Sequence, residues 1–396
     1  MSSGPGELKR PRILVADDQA DIILALDILL KPEGYDVEAA QSPAAALKAL
    51  QGSVFDLMLL DLNYTGHSSS GQEGIDLLTR IGEIDPLLPV VVMTAWGSID
   101  LAVKAMHIGA SNFIQKPWQN RRLLEVVREQ IEQGRSRRRS ELQRTVEKME
   151  IAEAEVLQRA FLPPSLPRVD ACEMAVRWQP MERLGGDYYD IFLLDPRRLG
   201  FCVADASGKG IPAALLMSNL QAGLRSFAHS SAGPAEVVTR LNRLLCTNRL
   251  ANKFVTLFYG VLDLVEFELT YTNAGHPPLV VCRADGGRSA LKETGGLVGA
   301  FPEWTYRQES ISLARGDRLW LYTDGITEAR DAAGKEFGAA RIERLLADVN
   351  TVPLPEAQER VWNAVLDGCG GAFEDDATLL AFHLREPRKS IMASCP

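Results

Sequence analysis

No stretch of this 396-residue chain reaches the ~18–20 consecutive apolar residues that a membrane-crossing helix needs. The opening MSSGPGELKRPR also lacks the apolar core of a secretory signal. A cytoplasmic location with reduced thiols and no membrane partner is therefore the expectation. The six cysteines (172, 202, 246, 282, 369, 395) form no CxxC pair, so a zinc site is not expected, and cysteine-phosphatase chemistry is not expected either. Basic excess is lacking too: 43 Lys and Arg stand against 52 Asp and Glu, a net charge of −9. That balance offers nucleic acid no general attraction, and no basic recognition-helix segment is evident, so direct nucleic-acid binding is not expected. Internal repeats and low-complexity tracts are absent. What remains is an ordinary globular mixture, 46% hydrophobic and 24% charged, too long for one core.

The first third reads as alternating strands and helices. RILVADDQADI (12–22) is an apolar run ending in Asp17 and Asp18, and FDLMLLDL (55–62) another ending at Asp61. VVVMTAWG (90–97) reaches Thr94, and ASNFIQKPW (110–118) reaches Lys116. Such runs fit parallel strands buried on both faces, whose carboxyl ends carry the ligand site in α/β proteins. Three acids, a hydroxyl and a lysine then gather at one sheet end. The arrangement resembles the CheY-like response-regulator receiver over about residues 10–130. The resemblance implies a five-stranded, doubly wound α/β domain in which Asp61 is phosphorylated by a sensor histidine kinase. Asp17, Asp18, Asp61 and the Asn63 carbonyl would hold one Mg2+. Thr94 and Lys116 would contact the phosphoryl oxygens, with Phe113 at the aromatic switch position. The loop at 63–74 is rich in Gly and Ser and reads as mobile surface; its His67 is expected in solvent.

Four acidic motifs mark the second half: RLGGDYYD (183–190), VADASGKG (203–210), YTDGITEARD (322–331) and EDDATLLAF (374–382). Carboxylates at the edges of apolar runs, three with a neighbouring glycine, outline a site for two hard cations. Two such ions would offset phosphate charge and acidify water, so no cysteine nucleophile is required. With FVTLFYGVLD (254–263) and YTNAGHPPLV (271–280), these motifs resemble the PPM-type (type 2C) metal-dependent phosphatases, nearest the SpoIIE/RsbU-like serine/threonine branch, over about residues 150–385. The resemblance implies two Mg2+ or Mn2+ ions. Asp205 would bridge them, Asp324 and Asp375 would hold one, and Asp187 with the Ala206 carbonyl would serve the other. Asp376 falls where the family often has Asn or Asp. Ala206 and SGKG depart from the animal-type pattern, so the histidine role known there does not transfer. Arg183 and Lys209 are the candidates for meeting substrate phosphate. His276 reads as a turn residue fixed by Asn273, Gly275 and two prolines rather than as a catalytic acid.

Strand-like segments at 173–179, 188–194, 199–205, 254–264, 267–273, 278–283, 317–323 and 377–384, with helical stretches near 212–228, 234–248, 338–348 and 355–367, suggest an α+β domain of two stacked antiparallel sheets flanked by helices. Between the domains, Leu142, Val146, Met149, Val156 and Ala160 follow a three-four spacing if Glu153 takes one seam position. A helical, coiled-coil linker at 131–162 is expected, and with it a homodimer, while Arg135–Arg139 reads as a solvated face. The expected organisation is receiver 10–130, linker 131–162 and phosphatase 163–386. By family resemblance the substrate would be a phosphorylated anti-anti-sigma factor of the STAS type. The competing reading is a non-catalytic, receiver-controlled adaptor that binds a sigma or anti-sigma factor. The sequence leaves open the kinase, the sign of the Asp61 effect and Mg2+ against Mn2+.

Overall fold

In a computed structural model, residues 10–64, 72–94, 99–247 and 253–385 are described. His67 and Cys395 lie outside them. The chain divides into two compact units, Met1–Lys148 and Met149–Pro396.

The first unit alternates β1 (Arg12–Ala16), α1 (Ala20–Leu30), β2 (Asp36–Ala40), α2 (Pro43–Gly52), β3 (Leu57–Asp61), α3 (Gln72–Ile84), β4 (Val90–Thr94), α4 (Ile99–Ile108), β5 (Asn112–Gln115) and α5 (Asn120–Phe161). All strands are parallel in the order β2-β1-β3-β4-β5. The unbroken apolar strands follow from burial on both faces. Ile13, Val15, Leu57 and Leu59 pack towards Leu26 of α1 and Leu123 of α5. Their neighbours Leu14, Met58 and Leu60 pack towards Ile75 and Leu78 of α3. The strand order reverses between β1 and β3, which places the ends of those two strands at the crevice where such sheets bind ligands.

Helix α5 runs unbroken through the segment expected to be a linker. Its first turns bury Leu123, Val126, Val127 and Ile131 in the receiver core. The basic run is not wholly solvated: Arg135 pairs with Asp56 at 2.9 Å and Arg138 with Asp85 at 2.5 Å. Beyond it Leu142, Met149 and Val156 are each about two-thirds exposed within the single chain.

The second unit holds β6 (Cys172–Gln179), β7 (Tyr188–Leu193), β8 (Arg198–Ala206), α6 (Ile211–Ala228), α7 (Pro234–Thr247), β9 (Val255–Asp263), β10 (Glu268–Ala274), β11 (Leu279–Cys282), β12 (Arg288–Leu291), β13 (Glu309–Ser312), β14 (Arg318–Tyr322), α8 (Asp324–Thr327), α9 (Ala339–Asp348), α10 (Leu354–Gly368) and β15 (Ala377–Leu384). Two five-stranded antiparallel sheets form, β13-β10-β9-β8-β7 and β12-β11-β14-β15-β6. Their inner faces meet in one core, where Phe201 of the first sheet lies 4.6 Å from Phe382 of the second. Helices α6 and α7 cover the first sheet, and α9 and α10 cover the second. Strands β12 and β13 were missing from the sequence reading. Both are sheet edges with mainly exposed residues, so no apolar alternation announces them.

Phe201→Ala should lower the stability of this unit by about 3–5 kcal/mol, because it opens a cavity between two sheets that cannot close on it. Urea unfolding followed by a probe in this unit measures the loss, and a change below ~1 kcal/mol would contradict this packing.

Candidate functional site

In the first unit the strand ends deliver the expected cluster. One carboxylate oxygen from each of Asp17, Asp18 and Asp61 lies within 4.8 Å of the others. Asp17 and Asp61 are buried, and Lys116 reaches both, at 2.6 and 2.9 Å. Burial pushes the Asp61 pKa upward, opposed by the charge and hydrogen bond of Lys116. The Asn63 N–H donates to Asp61 at 3.2 Å, tying the start of the following loop to the acid. Thr94 is buried at the end of β4, where its carbonyl accepts from the Lys116 N–H at 2.7 Å. Phe113, on β5, is half exposed.

In the second unit Asp187 stands just before β7, Asp205 near the end of β8, Asp324 at the start of α8, and Asp375 and Asp376 just before β15. Asp187 is 1% exposed. Its Oδ2 accepts from Thr378 at 2.5 Å and Thr323 at 2.7 Å, whereas its buried Oδ1 has no hydrogen-bond partner. Burial and then the charge of Asp205 push its pKa well above the usual carboxylate range. Asp205 is pushed up to about 7, by burial first and then by Asp324, Asp375, Asp376 and Glu328. Asp324 is raised by burial, Glu328 and Asp375. These carboxylates repel one another inside a partly buried cleft, which is the electrostatic condition that bound cations relieve. Unlike the receiver triad, no three of them bring oxygens mutually within 4.8 Å among the described residues.

Glycines permit this crowding. A Cβ on Gly186 would lie 2.7 Å from the Ala206 carbonyl oxygen, and one on Gly325 would meet the Asp376 carbonyl oxygen. The Ala206 N–H in turn donates to the Gly186 carbonyl at 3.3 Å. Asp376 is not equivalent to Asp375: its carboxylate accepts from the Met181 N–H at 2.7 Å and the Gly186 N–H at 2.5 Å, so it braces the loop that carries Asp187. Lys209 engages Asp375 at 3.3 Å and the Glu374 carbonyl at 3.0 Å, while Arg183 engages Glu155 of α5 at 3.1 Å.

Sequence reasoning missed Glu328 and Arg330, which line a cavity of about 210 Å3 together with Gly325, Glu374 and Asp375. Both lie within the quoted YTDGITEARD motif: Glu328 caps the end of α8, and Arg330 follows in an isolated antiparallel bridge with Glu336. It also missed a spacing. Cys282 and Arg288 stand in the C-x5-R pattern of cysteine phosphatases. The structure removes that chemistry: Cys282 is buried, burial raises its thiol pKa, and it pairs with Arg288 across the β11–β12 hairpin instead of heading a phosphate loop.

His276 is held as a turn residue. Its N–H donates to Asn273 Oδ1 at 2.9 Å and its carbonyl accepts from Asn273 Nδ2 at 3.0 Å, with Gly275 at φ 70° between them. The ring is buried, with Nδ1 2.9 Å from Thr256 Oγ1.

The fold and the two acid clusters define a chain with one receiver-type domain and one PPM-phosphatase-type domain. Residues 13–128 match the response regulator receiver domain, and residues 195–385 match the Stage II sporulation protein E (SpoIIE) domain. The chain thus joins a response-regulator receiver to a SpoIIE-type domain of the PPM phosphatase class. It is 30% identical over 266 residues to Protein IcfG of Synechocystis sp., covering 60% of this chain and 42% of that protein. It is 29% identical over 234 residues to phosphoserine phosphatase RsbU of Bacillus subtilis, covering 59% of this chain and 69% of that one. The SiaA-PP2C domain of Pseudomonas aeruginosa superposes with a TM-score of 0.55 at 23% identity, over 61% of this chain and 98% of that domain, and shares its fold. Less than half of IcfG is therefore spanned.

Burial holds the His276 pKa at about 3, against ~6.5 when unfolded, so the folded state favours the neutral ring. Its contribution is complete above pH ~6.5 and is lost as pH falls towards 3, by at most ~1.4 kcal/mol per pH unit. The acid limb of the stability curve between pH 6 and 4 should be shallower in His276→Gln; an unchanged slope would mean that the ring protonates freely in the fold.

Proposed function

We propose that this protein is a two-component response regulator whose output is the metal-dependent hydrolysis of phosphoserine or phosphothreonine on a protein. The observation that carries the reading is the buried, unpartnered Oδ1 of Asp187 beside the raised carboxylate of Asp205. Anionic oxygen donors without protein cations suit hard divalent ions. Asp205 would be shared between two Mg2+ or Mn2+ ions, with Asp324 and Asp375 serving one and Asp187 and the Ala206 carbonyl the other. Bound there, the ions would supply Lewis acidity towards phosphoryl oxygens and lower the pKa of water.

The chain's own residues do the remaining work. Thr323 and Thr378 fix the Asp187 carboxylate so that only Oδ1 is left to the site. Asp376 holds the Gly186 backbone. Lys209, at the cleft edge, would exchange Asp375 for substrate phosphate, and Arg183 is a second candidate for that contact. The name of RsbU, a phosphoserine phosphatase, supports the substrate class, and a STAS-type anti-anti-sigma factor is the partner proposed.

In the receiver, Asp61 would accept a phosphoryl group from a sensor histidine kinase, with Asp17, Asp18 and the Asn63 carbonyl holding Mg2+. Lys116, already on Asp61, and Thr94 would follow the added charge, with Phe113 as the aromatic switch. The exposed Leu142, Met149 and Val156 on α5 support a homodimer through a short coiled coil. No helix among the described residues is long and apolar enough to cross a membrane, and a cytoplasmic location is proposed with that.

Release of phosphate from a phosphoserine protein should cease with EDTA and return with Mn2+, and Asp205→Asn should cut turnover by more than ~100-fold with the fold retained. Turnover that survives EDTA would refute the metal-dependent reading.

Acetyl phosphate should change turnover of the full chain, and Asp61→Asn should abolish that response while basal activity remains. One residue inserted after Ser140 rotates the helix beyond it by ~100° and should uncouple the response, whereas seven should preserve much of it. Equal behaviour of the two insertions would point away from control through the helix.

A further inference from the structure

Asp205 and Thr256 stand directly opposite each other in the β8–β9 ladder. Asp205 lies four residues along β8 from Phe201, which faces the second sheet, so both side chains of the pair project into the space between the sheets. Cβ atoms of such a pair are about 4.5–5.5 Å apart, which puts the Thr256 hydroxyl beside the central acid of the cleft. Yet that hydroxyl is bonded elsewhere, to Nδ1 of His276 at 2.9 Å. The strongest influences on the Asp205 carboxylate are burial and the acids Asp324, Asp375, Asp376 and Glu328, none of which gives it a hydrogen bond.

The partners of the His276 ring assign the direction of the bond. A neutral imidazole has one N–H and one bare nitrogen. Tyr322, on β14 of the second sheet and two residues before Asp324, is the backbone group that acts on the ring. Its carbonyl can only accept, which puts the ring proton on Nε2, although Nε2 makes no hydrogen bond of full geometry. Nδ1 is then the acceptor, and the Thr256 O–H donates to it. The ring is 1% exposed and Asn273 clamps the His276 backbone on both sides, so it has no room to turn away. Threonine has one hydroxyl proton, and the one given to His276 does not reach Asp205.

We infer that His276 is a positioning residue that holds the Thr256 proton away from Asp205 and so leaves the carboxylate oxygens free for the metal ions of the reading above, on which this rests. Without the ring nitrogen the hydroxyl would turn to the neighbouring anion, and a hydrogen bond to an ionised oxygen is roughly twice as strong as a neutral one. Metal ions would then compete with that bond for the charge of Asp205.

The test is Mn2+ binding to the full chain by titration calorimetry, in an Asp17→Asn, Asp18→Asn background that silences the receiver cluster. It is run at pH 8, where Asp205, with a pKa of about 7, is ionised. His276→Phe keeps a flat buried ring and removes the acceptor, and should weaken Mn2+ binding by about tenfold. Thr256→Val removes the hydroxyl. It should leave Mn2+ affinity within about twofold while lowering the urea midpoint, because a buried ring nitrogen loses its partner. The double variant, His276→Phe with Thr256→Val, should return to within about twofold of the background, since no hydroxyl proton is left to reach Asp205. A residue that merely packs would show no such recovery.

If His276→Phe does not fold by circular dichroism, Thr256→Asn replaces it: an amide has two N–H bonds, enough to hold the ring nitrogen and Asp205 together, and the same weakening is expected. Background affinity in the folded His276→Phe or its replacement, equal weakening in His276→Phe and the double variant, or an about tenfold loss in Thr256→Val alone overturns the inference. Failure of the Asp17→Asn, Asp18→Asn background itself to bind Mn2+ overturns instead the metal-dependent reading.

Discussion

Mutual repulsion among carboxylates is the constraint on which the phosphatase domain is built. Asp187, Asp205 and Asp324 all have their pKa values raised by burial and by neighbouring acids, so ionising them together is unfavourable. Two stacked sheets with a shared aromatic core are rigid enough to bear it. Divalent cations would release it, which makes metal binding and local stability one linked quantity.

The receiver handles the same problem differently. Its acids converge more tightly, within 4.8 Å, but Lys116 sits on two of them. A resident cation lets the cluster exist before any ion arrives. In the phosphatase domain the lysine is at the rim, on Asp375, and the buried Asp187 has threonine hydroxyls on one oxygen and no hydrogen bond on the other. One protein thus contains an acid cluster balanced by its own lysine and another suited to external metal.

Backbone approach carries as much of the site as side chains do. Gly185, Gly186 and Gly325 let the Asp187, Asp205, Asp324 and Asp376 loops touch through peptide groups, and any Cβ there would press on a carboxylate or carbonyl. Gln158, near the end of α5, is hydrogen-bonded to both the N–H and the carbonyl of Gly185, two residues before Asp187.

Most of the buried elements, the two fold classes and the acids that gather in each unit were legible in the sequence. Buried parallel strands write themselves as unbroken apolar runs, and glycine beside aspartate marks loops where backbone and carboxylate converge. Edge strands β12 and β13 were not legible, because exposure removes the apolar alternation that would signal them. Nor was the division of labour between Asp375 and Asp376: adjacent acids look alike until one is seen bonded to Met181 and Gly186, which are almost 200 positions away in the chain. The C-x5-R spacing at Cys282 shows the converse, a pattern present in sequence whose chemistry is cancelled by a hairpin. Local patterns determined which elements form and which acids are available; tertiary contacts decided which acid is left with an open oxygen and which helix holds its loop, because those depend on residues far apart in sequence meeting within hydrogen-bond distance.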